Sequence, residues 1–225
     1  IFTIKTMPAV AIHCKASMSE GMGHVYRQIN LATELKKQAW GVTFYIPNFQ
    51  PAIDLLSKPG FTFVIVNPRS PKPEYLEKFF DFIILDVQNT TESLVCSLKK
   101  KCRWIVSFED LGIGRNHVDV LIDCNLAPSE TKNLPSSTRG LFGTDYSVLH
   151  PDFSYYHNQP KNFSTSLQSV LISMGATDPK KLVLSLVTFL LQEKKNLKTT
   201  VLAGHNETVM LKLEKLSTQF ESLHV

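Results

Sequence analysis

The chain has 225 residues, of which 43% are hydrophobic and 20% charged, a globular composition that excludes a disordered chain and leaves room for one large or two medium domains. The net charge of +4 is mild and the lysines are scattered in short clusters such as Lys99-Lys100-Lys101, which suits an anionic substrate and argues against a nucleic-acid stripe. No run of about 18 apolar residues is present, so no membrane span is expected.

Taken in chain order, apolar runs alternate with segments of helical period. Residues 10–14 (VAIHC) read as a first strand, and Val25, Ile29, Ala32 and Leu35 recur at helical spacing after it. Residues 42–46 make a second strand, 50–57 a short helix with Pro51 near its start, and 61–66 a third strand. Pro68, Pro71 and Pro73 mark a loop. A helix is expected over 74–80, a buried strand over 82–85 ending at Asp86, a helix over 90–100, and strands over 104–108 and 118–122. Short, continuously apolar strands of this kind suit a parallel sheet covered on both faces. This first domain is expected to fill residues 1–153. A connector follows over 154–168, then a second, partial α/β domain over 169–225 with strands at 169–173 and 199–203 and helices at 179–192 and 207–219.

Residues 20–27 read EGMGHVYR, between the first strand and its helix. Gly21 and Gly23 there allow positive φ and close approach of a ligand to the backbone. His24 and Arg27 fall in the helix's first turn, where free N–H groups favour an anion. An imidazole so placed can accept a proton, and a guanidinium can hold a phosphate or a carboxylate. Open α/β sheets bind ligands outside the carboxyl ends of their strands, which puts His24, Asp86, Glu109, Asp110 and Asn125 on one rim. Singly, each acid is more often a helix cap, as Asp86 before Thr90 and Asp110 before Gly112 would be. A second glycine-bent junction, SMGATDPKK at 173–181, offers Gly175, Ala176, Thr177 and Asp178 beside Pro179 as another anion cradle or as an ordinary capped helix start. The four cysteines (Cys14, Cys96, Cys102 and Cys124) lack zinc-ligand spacing, so reduced thiols in a cytoplasmic protein without metal or cofactor are expected. No secretory signal pattern opens the chain.

Chained together, GMGHVYR, FIILDVQ, VSFEDLG, VDVLIDCNL, GTDYSVLHPDF and ISMGATDPKK resemble the nucleotide-sugar hydrolases of the pseudaminic acid pathway and the related SpsG group, both similar to the MurG-like GT-B glycosyltransferases. The resemblance runs over roughly residues 8–205. It implies a GT-B-like fold of two Rossmann-like domains with a cleft between them. It also implies hydrolysis of a UDP-linked acetamido deoxy sugar without metal, with His24 as the base and Asp86 at the strand end. Further implied roles are diphosphate contacts at Gly175, Ala176 and Thr177; Asn125 matches the family's sixth-strand asparagine, and Tyr146 and Leu149 match a stretch that contributes to the domain joint and cleft wall. The chain departs from the family at Asp86-Val87-Gln88, where Asp-His-Tyr is usual. A glycosyltransferase, or a non-catalytic sugar-nucleotide binding module, would use the same residues.

Overall fold

The computed structural model describes residues 7–67, 73–161, 163–175, 178, 180–194, 196–204 and 206–225; Pro68, Pro71 and Pro179 lie outside them. The chain divides into two units, one holding the chain up to Ala16 with His24–Phe153, the other Ser17–Gly23 with Ser154–Val225.

The first unit is built on seven parallel strands. In chain order they are β1 (Ala9–Cys14), β2 (Gly41–Ile46), β3 (Thr62–Ile65), β4 (Phe80–Asp86), β5 (Cys102–Phe108), β6 (Val120–Asp123) and β7 (Arg139–Phe142). Their order across the sheet is β3-β2-β1-β4-β5-β6-β7. Successive strands are therefore added on opposite sides of β1, outward to β3 and then outward from β4, and a crevice opens at such a switch point beyond the carboxyl ends of the strands. Its helices are α1 (Gly23–Lys37), α2 (Gln50–Ser57) and α3 (Glu92–Lys99), and α4 (Asp152–His157) runs across the boundary into the second unit. Alternation along β1 and β4 sends Ala11, Ile83 and Leu85 into a core with Tyr45, Phe80, Val95, Leu98, Ile105 and Leu121. Ile12, Cys14, Phe44 and Ile84 on the alternate positions are buried as well, as are Val25 and Ala32 of α1. Both faces of the central strands are thus out of water, which explains their unbroken apolar runs.

Local chemistry sets the element ends. Lys36 and Lys37 close α1, where cations complement the helix dipole. Pro51 sits in the first turn of α2, and the Thr91 hydroxyl caps α3 by accepting from the Leu94 N–H at 3.2 Å. The helix expected over 74–80 is absent. Pro73–Tyr75 makes one 3-10 turn, and Phe80 is drawn into β4 by pairing with Cys102. β7, whose Arg-Gly-Leu-Phe run carries little strand signal, adds an unexpected edge.

The second unit holds β8 (Ser169–Ser173), α5 (Val183–Glu193), β9 (Lys198–Leu202), α6 (Glu207–Ser217) and β10 (Leu223–His224). The three strands are parallel in the order β10-β9-β8, so the sheet has one strand more than the two expected. Ile172, Val183, Val187, Leu191, Val201, Leu213 and Leu223 form its separate core. The helix expected from residue 179 starts at Val183 because the chain turns first, with positive φ at Asp178 (42°) and Lys181 (54°). Among the described residues, no helix is long and apolar enough to cross a membrane.

Candidate active site

The register of β1 with β4 sets Cys14 beside Asp86 at the carboxyl end of the sheet, at the switch point. Helix α1 then starts over this spot, with His24, Arg27 and Gln28 in its first turns. Three of its side chains converge on one carboxylate. Asp86 Oδ1 accepts from His24 Nδ1 and from Arg27 Nη2, each at 2.7 Å, and Oδ2 accepts from Arg27 Nε at 3.0 Å and Gln28 Nε2 at 2.9 Å. Asp86 is fully buried, whereas His24 keeps 18% of its side chain exposed.

Two chemical consequences follow. An ionised carboxylate only accepts, so His24 carries its proton on Nδ1 and presents Nε2 as the nitrogen available to a reactant. The 3.5 Å approach of Arg27 Nη2 to His24 Nδ1 is then a contact between two donors. Burial alone would raise the Asp86 carboxyl, but hydrogen bonds from His24 and Arg27 and the guanidinium charge outweigh it and hold the group below its ordinary value. Burial likewise opposes the Arg27 charge and is outweighed by Asp86 and Glu109, leaving a firmly held cation.

Arg27 bridges to a second acid, its Nη1 lying 2.6 Å from Glu109 Oε1, and its guanidinium stacks over Phe108 at 5.2 Å from the ring centre. Glu109 has φ 48°, the left-handed region, at the carboxyl end of β5. The same Oε1 accepts from Asn125 Nδ2 at 3.2 Å and from Cys124 Sγ at 3.3 Å. A cavity of about 180 Å³ opens beside this group, walled by Arg27, Phe108, Glu109, Tyr146 and Leu149. His24, Asp86, Arg27, Glu109, Asn125 and Tyr146 are therefore brought together within the first unit.

Other candidates have different employment. Asp110 is buried and holds a loop: its Oδ1 accepts from the Thr90 and Gly112 N–H groups at 3.0 and 2.9 Å, and its Oδ2 from the Thr90 and Ser107 hydroxyls. With its oxygens so engaged, the expected substrate role gives way to a structural one. Asp178 is buried too, accepting from the Leu182 and Val183 N–H groups at 2.9 and 3.1 Å at the start of α5, and it lines a cavity of about 330 Å³ with Lys181, Asn206 and Lys212. Asp86 is fully buried, with its oxygens taken up by His24, Arg27 and Gln28. Gly21 has φ 77° in a turn closed by its N–H to the Ser17 carbonyl, but Gly23 is the first residue of α1 with an ordinary φ, and a Cβ there would meet nothing within 4 Å. The conformational need expected at Gly23 is absent. Gly175 is exposed, with φ 72°, and Ala176 and Thr177 lie outside the described residues.

Gln28 was not among the expected site residues, although its spacing of four from His24 puts both on one helix face. The pair formed by Lys15 Nζ and Gln88 Oε1, 2.6 Å apart beside the same strand ends, also has no local sequence signal. All four cysteines are free, and burial followed by the Asp86 charge pushes the Cys14 thiol up, which disfavours its thiolate.

No family model matches the chain. It is 23% identical over 212 residues to an uncharacterised protein of Methanocaldococcus jannaschii, a match covering 87% of this chain and 42% of that protein. It is 26% identical over 220 residues to the spore coat polysaccharide biosynthesis protein SpsG of Bacillus subtilis, covering 92% of this chain and 63% of SpsG. The chain thus spans less than two thirds of the length of either relative. Among solved structures it is similar to MurG of Acinetobacter baumannii, with a TM-score of 0.55 at 13% identity over 96% of this chain and 66% of that one. It is also similar to a glycosyltransferase of Rickettsia africae, with a TM-score of 0.54 at 12% identity over 97% and 68%. The chain is a homologue of SpsG, with the GT-B-like α/β fold seen in MurG.

Proposed function

We propose that the protein is a cytoplasmic enzyme that hydrolyses a UDP-linked acetamido deoxy sugar, releasing UDP, in surface polysaccharide or nonulosonic acid biosynthesis. One observation carries the reading: a partly exposed imidazole whose Nδ1 is held by a buried, multiply bonded carboxylate. That is the arrangement of an oriented general base. Water attacks the anomeric carbon while His24 Nε2 takes its proton. The bond from that carbon to the diphosphate oxygen breaks, and UDP departs with the electron pair. Asp86 fixes the tautomer and ring orientation and stabilises the imidazolium that forms. Arg27 is tied to Asp86 and Glu109, so we assign it to site architecture and to the wall of the adjoining cavity, where Glu109 and Tyr146 meet the sugar and Asn125 holds Glu109. Diphosphate binding by Gly21 and Gly23, and by Gly175, Ala176 and Thr177, belongs to the same proposal.

Transfer to an acceptor in place of water is the second reading, favoured by Val87-Gln88 standing where the hydrolases have His-Tyr. The test is UDP release from UDP-linked acetamido sugars, with and without candidate acceptors, by the protein and by His24→Ala. Hydrolysis gives UDP without acceptor and a loss of about 10²–10⁴-fold in the variant. Release that needs an acceptor establishes transfer. UDP binding by calorimetry with no turnover establishes a binding module, and undiminished turnover in His24→Ala removes the base assignment.

A further inference from the structure

Among the described residues, one group of three side chains away from the candidate active site carries the donor set of a metal centre: Glu92, Cys96 and His117. Their ligand atoms all lie within 4.8 Å of one another, and His117 Nε2 is 3.6 Å from Glu92 Oε1. Zinc–nitrogen and zinc–oxygen bonds of about 2.0–2.1 Å make a tetrahedral edge of roughly 3.4 Å, and a zinc–sulfur bond of about 2.3 Å lengthens its edges slightly. The imidazole–carboxylate edge is thus nearly set, and small rotations of exposed side chains close the rest.

We propose that these residues bind a zinc-class divalent cation, with water in the fourth position. Glu92 and Cys96 are four residues apart on α3 and project from one face. His117 ends the 3-10 segment Ile113–His117, and this segment cannot drift from the helix. A Cβ on Gly112 would lie 2.1 Å from the Thr90 carbonyl oxygen, and one on Gly114 would lie 2.7 Å from that of Thr91. The Gly114 N–H also donates to the Thr90 carbonyl at 3.1 Å, and Asp110 ties the Thr90 and Gly112 N–H groups to one carboxylate. The frame that presents the ligands is therefore assembled before any ion arrives. Thiolate, imidazole and carboxylate together favour zinc or cobalt over magnesium or calcium, which take oxygen donors. A surface ion pair between His117 and Glu92 accounts for two of the groups and gives the thiol no part. The bound ion would staple α3 to the segment that follows the Glu109–Asp110 turn, as a structural clamp independent of the reaction proposed above.

The test uses the full chain, stripped with chelator and kept reduced, titrated with cobalt(II). One equivalent should produce a near-ultraviolet thiolate-to-cobalt band and the visible bands of a tetrahedral site, and zinc should bleach them. Cys96→Ser should abolish the thiolate band, and His117→Ala should weaken affinity by at least the roughly 10- to 100-fold that loss of a merely supporting group costs. Cys124→Ser should change neither. Zinc should raise the Tm of the parent and not of Cys96→Ser, and the affinity should rise with pH because binding displaces protons. A parent that gives no such band, or a band that survives Cys96→Ser, overturns the proposal.

Discussion

Asp86 is fully buried and charged, an arrangement that costs several kcal/mol unless every lone pair is used. Here four donor contacts from three α1 side chains use them, and two of those side chains are themselves charged or able to be. Removing the carboxylate leaves the half-buried Arg27 without its main counter-charge, so Asp86→Ala should lose about 3–5 kcal/mol, measured by urea unfolding. Asp86→Asn is the sharper probe of mechanism. The amide can no longer stabilise the imidazolium, and we expect kcat for UDP release to fall between about 10²- and 10⁴-fold with KM little changed. The pH dependence of stability has a definite sign. The folded carboxyl titrates below its ordinary value near 3.9, so its contribution is fully present above about pH 4 and is lost as pH falls through the folded value. The Tm gap between the parent and Asp86→Asn should therefore hold at pH 5 and shrink below pH 4. His24 and Asp86 were each visible in the sequence, one opening a helix and one ending a strand. Their contact was not, because 62 residues separate them and only the pairing of Cys14 with Asp86 brings them together.

At the scale of elements, β1 shows what a strand buried on both faces imposes. His13 is 1% exposed, stacks on Tyr45 at 4.8 Å, and has neither ring nitrogen hydrogen-bonded to another described residue. Burial lowers its pKa from 6.5 to about 4, so the folded state resists the proton that the unfolded chain accepts. Stability should consequently decline as pH falls from about 6.5 to 4, by roughly 3 kcal/mol from this residue alone. His13→Phe, which keeps the stack and removes the titration, should flatten that decline in a Tm-against-pH series; an unchanged slope would refute the assignment. This window lies above that of Asp86, so the two are separable. The packing of the 3-10 segment on α3 makes a second demand, because Gly112→Ala would drive a Cβ into the Thr90 backbone and should destabilise by about 1–3 kcal/mol. Element by element, legibility followed signal strength. β8 was readable to the residue because five residues of strand character sit between polar and glycine-bearing neighbours. β7 and the two-residue β10 were not, since sheet pairing, and no local pattern, makes them strands. The Glu74–Phe80 segment misled because its apolar spacing fits a helix until Phe80 is claimed by β5.

In the whole molecule, the two sheets have separate cores of unequal size, seven strands in one unit and three in the other. Three strands with two helices lie near the lower limit of independent stability, whereas a seven-stranded sheet whose central strands are covered on both faces buries much more apolar surface per residue. Calorimetry should accordingly resolve two transitions, since chains with several cores depart from two-state melting. The variants that assign them are Leu213→Ala, which removes a fully buried side chain from the small core, and Leu98→Ala, which does the same in the large one. Each should cost about 2–5 kcal/mol in its own unit. Leu213→Ala should lower the first transition and spare the second, and Leu98→Ala should do the reverse. A single transition displaced by both substitutions would mean that the units unfold as one cooperative block, and the separate cores would then be no guide to how stability is divided along this chain.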